Sequence, residues 1–349
     1  MQDSLFPLDP EPGQPDVPPA VPAKARASAA ITPQPPDPAH QALVAALPHL
    51  LRLGTSSWNY PGWAGMVWAD EHPDAALSKR GLPAYSQHPL FRSVCVDRAF
   101  YRPLTVSQYA AYAAQVPPDF RFVVKAPGLV TDAMVRGEDG RGLQANPAFL
   151  DPQLAVQEFV EPALEGLGNK LGALVFQLSP LPGPMLGQQA EILQRLRAML
   201  QALPSLRPVA ADGVMAVEVR NPELLTPELA RVLRETGATY CLGLHAKMPR
   251  IGDQLPMLRA LWPGPLVCRW NLHPVHGLYG YEDAKKLYEP FDQLHDVDEE
   301  TREALAKVAL ATTAAGHPAY ITVSNKAEGC APLSIAGLAQ TVRARQAAT

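Results

Sequence analysis

Charged and amide side chains recur where short apolar segments of this chain end. The set comprises Asp97, Lys125, Gln177, Glu218, Arg220, Arg269 and Asn325. An unpaired charge is costly to bury, so these groups must pair with one another or face an open surface. Side chains alternate along a strand, and Glu218 and Arg220 therefore share one face. If such faces point inward, five groups are expected to converge: Lys125, Glu218, Arg220, Arg269 and Asn325.

The converging charges are more cationic than acidic. Lys125, Arg220 and Arg269 carry positive charges and Glu218 carries a negative one, with Asp97 left out of this comparison. This balance favours an anionic ligand that carries a phosphate or a carboxylate, because guanidinium groups match the geometry of both. The sequence therefore predicts an enzyme or binder for a small anionic ligand.

Roles follow from the residue types. Glu218 is expected to act as general acid or base, while Lys125 and the arginines hold negative charge. A Schiff-base role for Lys125 is an alternative. Gln177 and Asp97 are expected to contact the ligand, and the aromatic residues Trp58 and Tyr101 to stack on a ring.

The same residues also admit structural roles and different chemistry. Glu218 and an arginine can form an internal ion pair that closes the fold, and Gln177 and Asn325 can simply satisfy backbone groups. A metal-dependent phosphodiesterase or nuclease is a second functional hypothesis, although no H-E-x-x-H or similar cluster occurs. Its ligands would come from Asp97, Glu218, His245, His273 and His276. A non-catalytic ligand-binding module is the third.

The elements that must position these groups alternate along the chain. Candidate strands are Leu51–Ser56, Ser93–Ala99, Arg121–Lys125, Leu171–Leu178, Met215–Arg220, Thr239–Leu244, Leu266–Asn271 and Ala319–Asn325. Candidate helices include Val106–Gln115, Gln188–Ala202, Pro227–Glu235, Glu299–Ala315 and Ser334–Arg345, the first and third of which have Thr105 and Thr226 as N-caps. Near-continuous apolar strands are typical of parallel sheets that helices cover.

Eight strand–helix units in about 300 residues predict an α/β fold, an eight-stranded TIM-type barrel. The rival is a doubly wound sheet, which calls for a glycine-rich phosphate loop after the first strand. The segment Gly54-Thr55-Ser56-Ser57-Trp58 lacks that pattern. Ligands of such barrels bind at the carboxyl ends of the strands, where the polar residues are found.

The N-terminal region differs in composition from the rest. Its first 40 residues hold 11 of the 38 prolines, and proline removes backbone donors. We predict a disordered Pro/Ala-rich tail over residues 1–48 and a barrel domain over residues 49–345. The segment Gln2-Asp3-Ser4-Leu5-Phe6 resembles the peptide by which bacterial proteins bind the DNA polymerase sliding clamp. Gln2, Leu5 and Phe6 would contact the clamp, which would make DNA-derived substrates candidates.

Composition and charge limit which other classes of protein remain possible. The net charge of -4 and pI of about 6.1 exclude a strongly basic nucleic-acid-binding surface. The four cysteines form no C-x-x-C pair, so no structural metal site is expected, and no motif identifies a cofactor. The sequence has neither an apolar run of membrane-spanning length nor a secretory signal pattern, and a cytoplasmic location is expected.

Several motifs in chain order resemble one family. They are Gly54 to Trp58 with Tyr60-Pro61-Gly62-Trp63, Phe100-Tyr101-Arg102, Pro117 to Lys125, Leu171-Gly172 with Phe176-Gln177-Leu178, Glu218 to Pro222, and Asn325 to Ala331. Together they span residues 51–343 and are similar to the domain of unknown function 72 family, the YecE-like proteins. The resemblance implies a β/α barrel with its site at the strand ends, and no established activity.

Overall fold

Eight parallel strands form the centre of the molecule. A computed structural model describes residues 30–137, 142–277 and 280–348. The strands within them are β1 (Leu51–Thr55), β2 (Ser93–Val96), β3 (Arg121–Lys125), β4 (Met134–Arg136), β5 (Gly142–Ala145), β6 (Leu171–Gln177), β7 (Val214–Glu218), β8 (Thr239–Leu244), β9 (Leu266–Trp270) and β10 (Ala319–Val323). A closed barrel runs in the order β1-β10-β9-β8-β7-β6-β3-β2, and β4 and β5 pair as a separate antiparallel hairpin. The predicted TIM-type barrel is confirmed.

Helices follow the strands and cover the barrel. They are α1 (Pro38–Ala46), α2 (Asp74–Arg80), α3 (Leu82–Tyr85), α4 (Arg98–Tyr101), α5 (Val106–Ala113), α6 (Gly128–Thr131), α7 (Pro152–Ala155), α8 (Glu161–Leu167), α9 (Gly183–Leu186), α10 (Gln189–Ala202), α11 (Pro227–Thr236), α12 (Ile251–Ala260), α13 (Tyr281–Tyr288), α14 (Glu299–Ala314) and α15 (Ala331–Ala347). In the described ranges, no helix is both long and apolar enough to cross a membrane.

Side-chain caps determine where the two helices with predicted threonine caps begin. The Thr105 hydroxyl accepts a hydrogen bond from the backbone N–H of Gln108, whose side chain accepts one from the Thr105 N–H in return. The Thr226 hydroxyl accepts from the N–H of Leu229 at the start of α11. Each cap satisfies backbone donors that the first turn leaves free.

The barrel interior is lined mostly with small and medium side chains, with Tyr320 as the one large residue of the cluster. This inner cluster comprises Cys95, Val123, Ala173, Val175, Val214, Ala216, Cys241, Val267 and Tyr320. Large apolar residues instead fill the layer between strands and helices, where Phe159 packs edge-on against Phe176. Small inner residues let the barrel close around a packed centre, and the open end lies at the strand carboxyl termini.

The predicted disorder of residues 1–48 is wrong for residues 30–48, which have ordered structure. Helix α1 starts where the Asp37 carboxylate accepts from the N–H of Ala39, with Pro38 in the first turn. Leu43 and Ile31 are buried in the main hydrophobic core. Proline at a first helical position costs no hydrogen bond, so it starts this helix instead of preventing it. Residues 1–29 lie outside the described residues.

Candidate functional site

The polar residues at the strand ends continue the inner face of the barrel. In each of five strands, a small inner residue is followed two positions later by a polar one. These pairs are Cys95 and Asp97, Val123 and Lys125, Val175 and Gln177, Ala216 and Glu218, and Val267 and Arg269. Because side chains two apart share a face, the polar group of each pair lies above the apolar interior.

Arg269 links three other strands at this level. Its Nη1 donates to the Glu218 Oε2 at 2.7 Å and to the Gln177 Oε1 at 2.8 Å. Its Nη2 donates to both carboxylate oxygens of Asp97, at 2.9 and 3.0 Å. The strands β2, β6, β7 and β9 are therefore tied together by one guanidinium group. Charge-assisted bonds of this kind are short and directional.

Glu218 is the buried anion of the site, with 0% of its surface exposed. Its Oε1 pairs with the Arg220 Nη2 at 2.7 Å, and the same Nη2 donates to Gln177 at 2.9 Å. The neighbouring inner position on β8 is Gly243, where an added Cβ would lie 3.0 Å from the Glu218 carboxylate. The missing side chain leaves the room that Glu218 occupies.

Electrostatics keep both carboxylates ionised. Burial alone raises the pKa of Glu218, but Arg220 and Arg269 outweigh it and hold that pKa below its ordinary value. Burial likewise raises the pKa of Asp97, and Arg269 and Lys125 lower it further than burial raises it. Two fixed negative charges thus neutralise part of the cationic cluster.

Lys125 lies at the carboxyl end of β3 in a different environment. Its Nζ is 3.6 Å from the centre of the Phe100 ring. Burial lowers its pKa to about 8, with Arg269 lowering it and Asp97 raising it in smaller measure. In the described part of the chain, no hydrogen bond or ion pair engages the ammonium. Lys125 is thus a desolvated amine held mainly by an aromatic face.

A cavity of about 320 Å³ opens above these groups. Its lining consists of Asp97, Tyr101, Lys125, Gln177, Pro180, Arg220, His245, Lys247, Arg269, Asn271 and Tyr281. That volume is within the range of small-molecule sites. Four lining side chains are cationic and one is acidic, while Glu218 lies beneath. Burial and then Arg220 lower the pKa of His245 to about 3, so its ring is neutral.

Most of the predicted site residues meet at this cavity. Of the five groups expected to converge, Lys125, Glu218, Arg220 and Arg269 do so. Asn325 does not, since it shares its parity with Val323, which packs in the outer hydrophobic layer. Its Oδ1 accepts from the Trp63 Nε1 and the Ala331 N–H. That acceptor role is structural.

The two aromatic residues predicted to stack on a ligand lie in different places, and only Tyr101 lines the cavity. Tyr101 projects at the cavity rim on α4 with 86% of its surface exposed. Trp58 is buried instead, packed edge-on against Tyr112, and does not line the cavity. The second aromatic wall comes from Tyr281 on α13, a residue that sequence reasoning missed because it lies in a long segment after β9 with no strand-end position. Gln2, Leu5 and Phe6 lie outside the described residues.

Of the five proposed metal ligands, Asp97, Glu218 and His245 lie at or beneath the cavity, and His273 and His276 do not line it. The His273 Nδ1 accepts from the N–H of Val275 in its own turn, and the His276 Nε2 is hydrogen-bonded to the Tyr288 hydroxyl at 2.6 Å. Within residues 30–137, 142–277 and 280–348, no three His, Cys, Asp or Glu side chains are placed to hold a metal ion. Nothing in this arrangement favours the metal-dependent hypothesis.

A closed parallel barrel with a polar mouth defines a TIM-type (β/α)8 protein. The family model described as Protein of unknown function DUF72 matches residues 52–349, and the chain belongs to that family. A solved DUF72 family protein from Enterococcus faecalis is 18% identical with a TM-score of 0.56, covering 84% of this chain and 95% of its own. Another from Thermotoga maritima is 20% identical with a TM-score of 0.54, covering 84% and 98%. No curated protein matches the chain. These likenesses show the fold.

Proposed function

We propose that the barrel mouth is the site of an enzyme or binder for a small ligand bearing a phosphate or a carboxylate. The main observation for this proposal is that Glu218 and Gln177 fix the Arg220 guanidinium in place. Its Nη2 is held by Glu218 and Gln177, while its Nη1 has no partner among the described residues. A guanidinium fixed from behind loses little entropy when it binds an anion.

The surrounding charges support an anionic ligand. Lys125, Lys247 and Arg269 line the same cavity as Arg220, against a single lining carboxylate, Asp97. Even with buried Glu218 counted, the cavity has a cationic excess. This excess attracts anions of either chemistry, because both phosphate and carboxylate accept paired N–H donors.

The acid–base role predicted for Glu218 fits this geometry poorly. Both of its oxygens face arginines, it has no exposed surface, and its pKa lies below the ordinary value. Glu218 is better placed to position Arg220 and Arg269. Lys125 and Asp97, whose side chain is 37% exposed, are the groups that can exchange protons with a bound ligand.

Calorimetric titration with phenyl phosphate tests the proposal, because this probe combines an anion with a ring. Wild type is expected to bind it and to ignore phenol. Arg220→Gln and Lys125→Met are each expected to weaken binding by about tenfold or more. Arg207→Gln is the matched control, since Arg207 is exposed and lies before β7, at the opposite end of the barrel. Equal binding by all four proteins, or none by wild type, would refute an anion site at the mouth.

Recruitment to a bacterial sliding clamp is a separate proposal about a partner, and the sequence Gln2-Asp3-Ser4-Leu5-Phe6 supports it. Leu5 and Phe6 are suited to an apolar pocket, with Gln2 making polar contacts. Calorimetry of the full chain with a clamp is expected to show micromolar or tighter binding (on the order of -8 kcal/mol). Leu5→Ala with Phe6→Ala should abolish it, while Leu8→Ala serves as control. Retained binding by the double variant would reject the motif.

A further inference from the structure

Lys125 differs from an ordinary anion-binding lysine in the contacts of its amine. An anion-binding lysine needs only a charge, whereas this one is desolvated over the Phe100 ring at 3.6 Å. It also lines the cavity that holds Arg220 and Arg269. The structure thus places a partly neutral amine beside fixed cations that can hold the far end of a ligand.

The environment favours the nucleophilic form of this amine. Lowering its pKa from 10.5 to about 8 enlarges the neutral fraction at neutral pH roughly 300-fold. Desolvation together with a neighbouring cation is a recognised means of activating a lysine towards carbonyl groups.

We propose that Lys125 forms an imine with an aldehyde or ketone group of an anionic ligand, an inference that rests on the proposed function of the mouth. The neutral Nζ attacks the carbonyl carbon, forming a C–N bond while the C=O π electrons move to oxygen. A proton passes from nitrogen to that oxygen, giving a carbinolamine. Loss of the hydroxyl group with one more proton releases water and leaves the C=N bond. No oxidant or reductant is required.

Nearby groups suit these steps. Asp97 lines the same cavity with an ionised carboxylate, so it can accept the proton of the attacking amine and balance the charge of a protonated imine. The exposed Tyr101 and Tyr281 stand at the rim and can cover a planar ligand. The substrate class is therefore a phosphorylated or carboxylated carbonyl compound.

Borohydride trapping tests the imine. The full chain is incubated with pyridoxal 5′-phosphate or with pyridoxal, two aldehydes that differ by the phosphate group, then reduced and mapped by peptide mass spectrometry. Lys125 is expected to be the dominant labelled site, at a concentration at least about tenfold lower for the phosphorylated probe. Lys326 is the internal comparison, because burial also lowers its pKa and it lies over Tyr281 outside the cavity.

Each outcome has one meaning. Preferential labelling of Lys125 that is lost in Lys125→Met, a variant that melts no lower than wild type, supports the imine. Labelling of Lys125 by both probes at the same concentration supports the reactive amine and contradicts the anion site. Labelling spread evenly over surface lysines, in a protein that still binds phenyl phosphate, overturns the imine and leaves the anion site standing.

Discussion

Glu218→Gln is the most informative single change, because it removes one buried charge and keeps the shape. In wild type the carboxylate pairs with Arg220 and Arg269, each at 2.7 Å. The amide can accept from only one guanidinium, and its NH₂ group faces the donors of the other. Removing one partner of a buried ion pair costs about 3–5 kcal/mol. For a chain of this size we expect a melting temperature lower by about 5–8 °C.

Urea denaturation of wild type and variant at several pH values measures the effect. Glu218 has a depressed pKa in the folded state, so its contribution is present above the ordinary carboxyl pKa. That contribution is lost as pH falls through the folded-state value, and the difference between the proteins should shrink in acid. Glu300→Gln is the matched control, since it breaks an exposed ion pair with Arg250 of 2.8 Å and should cost less than about 1 kcal/mol. Equal costs for the two variants would refute the account of the buried cluster.

Three further changes test other parts of the structure. Lys125→Met removes a buried charge and should raise the free energy of unfolding by about 1–3 kcal/mol at neutral pH. This gain in stability should fade as pH rises from the folded-state pKa of about 8 to the ordinary value of 10.5. A gain that is constant with pH would contradict a desolvated amine. Gly54→Ala should lower the free energy of unfolding by at least about 3 kcal/mol, because the added Cβ would lie 2.0 Å from the Ser93 carbonyl oxygen. The control is Gly252→Ala, whose Cβ would meet nothing within 4 Å and which should be neutral or stabilising in the same urea titration. Asn325→Ala should cost about 2 kcal/mol or more in thermal unfolding, because two buried N–H donors lose their acceptor; a change below about 0.5 kcal/mol would reject that role.

The barrel was predictable because its strands are recognisable from local sequence. Segments such as Leu171–Gln177 are apolar up to their last residue, as burial on both faces requires, and helices with threonine caps follow two of the strands. Helix α1 was not predicted because proline-rich composition outweighed a local start sequence, Asp37-Pro38. Its buried residue Leu43 lies in the main hydrophobic core, and the helix contacts α15, near the other end of the chain.

The candidate site was predictable as far as strand periodicity extends. Lys125, Glu218 and Arg269 follow inner residues by two positions, so their convergence follows from the pleat. On β10 the inner residue is Tyr320, so Asn325 has the opposite parity and lies in the turn after the strand, away from the site. The contribution of Tyr281 depends on how a long segment folds back over the mouth, and Trp58 is buried by packing against Tyr112.

Titration of wild type and Arg220→Gln with phenyl phosphate tests the central claim most directly, because the claim is that a supported guanidinium at the barrel mouth binds an anion. We expect saturable one-to-one binding by wild type, about tenfold or more weaker in the variant, with phenol inert for both. Binding that the substitution leaves unchanged, or heat from phenol equal to that from its phosphate, would contradict it.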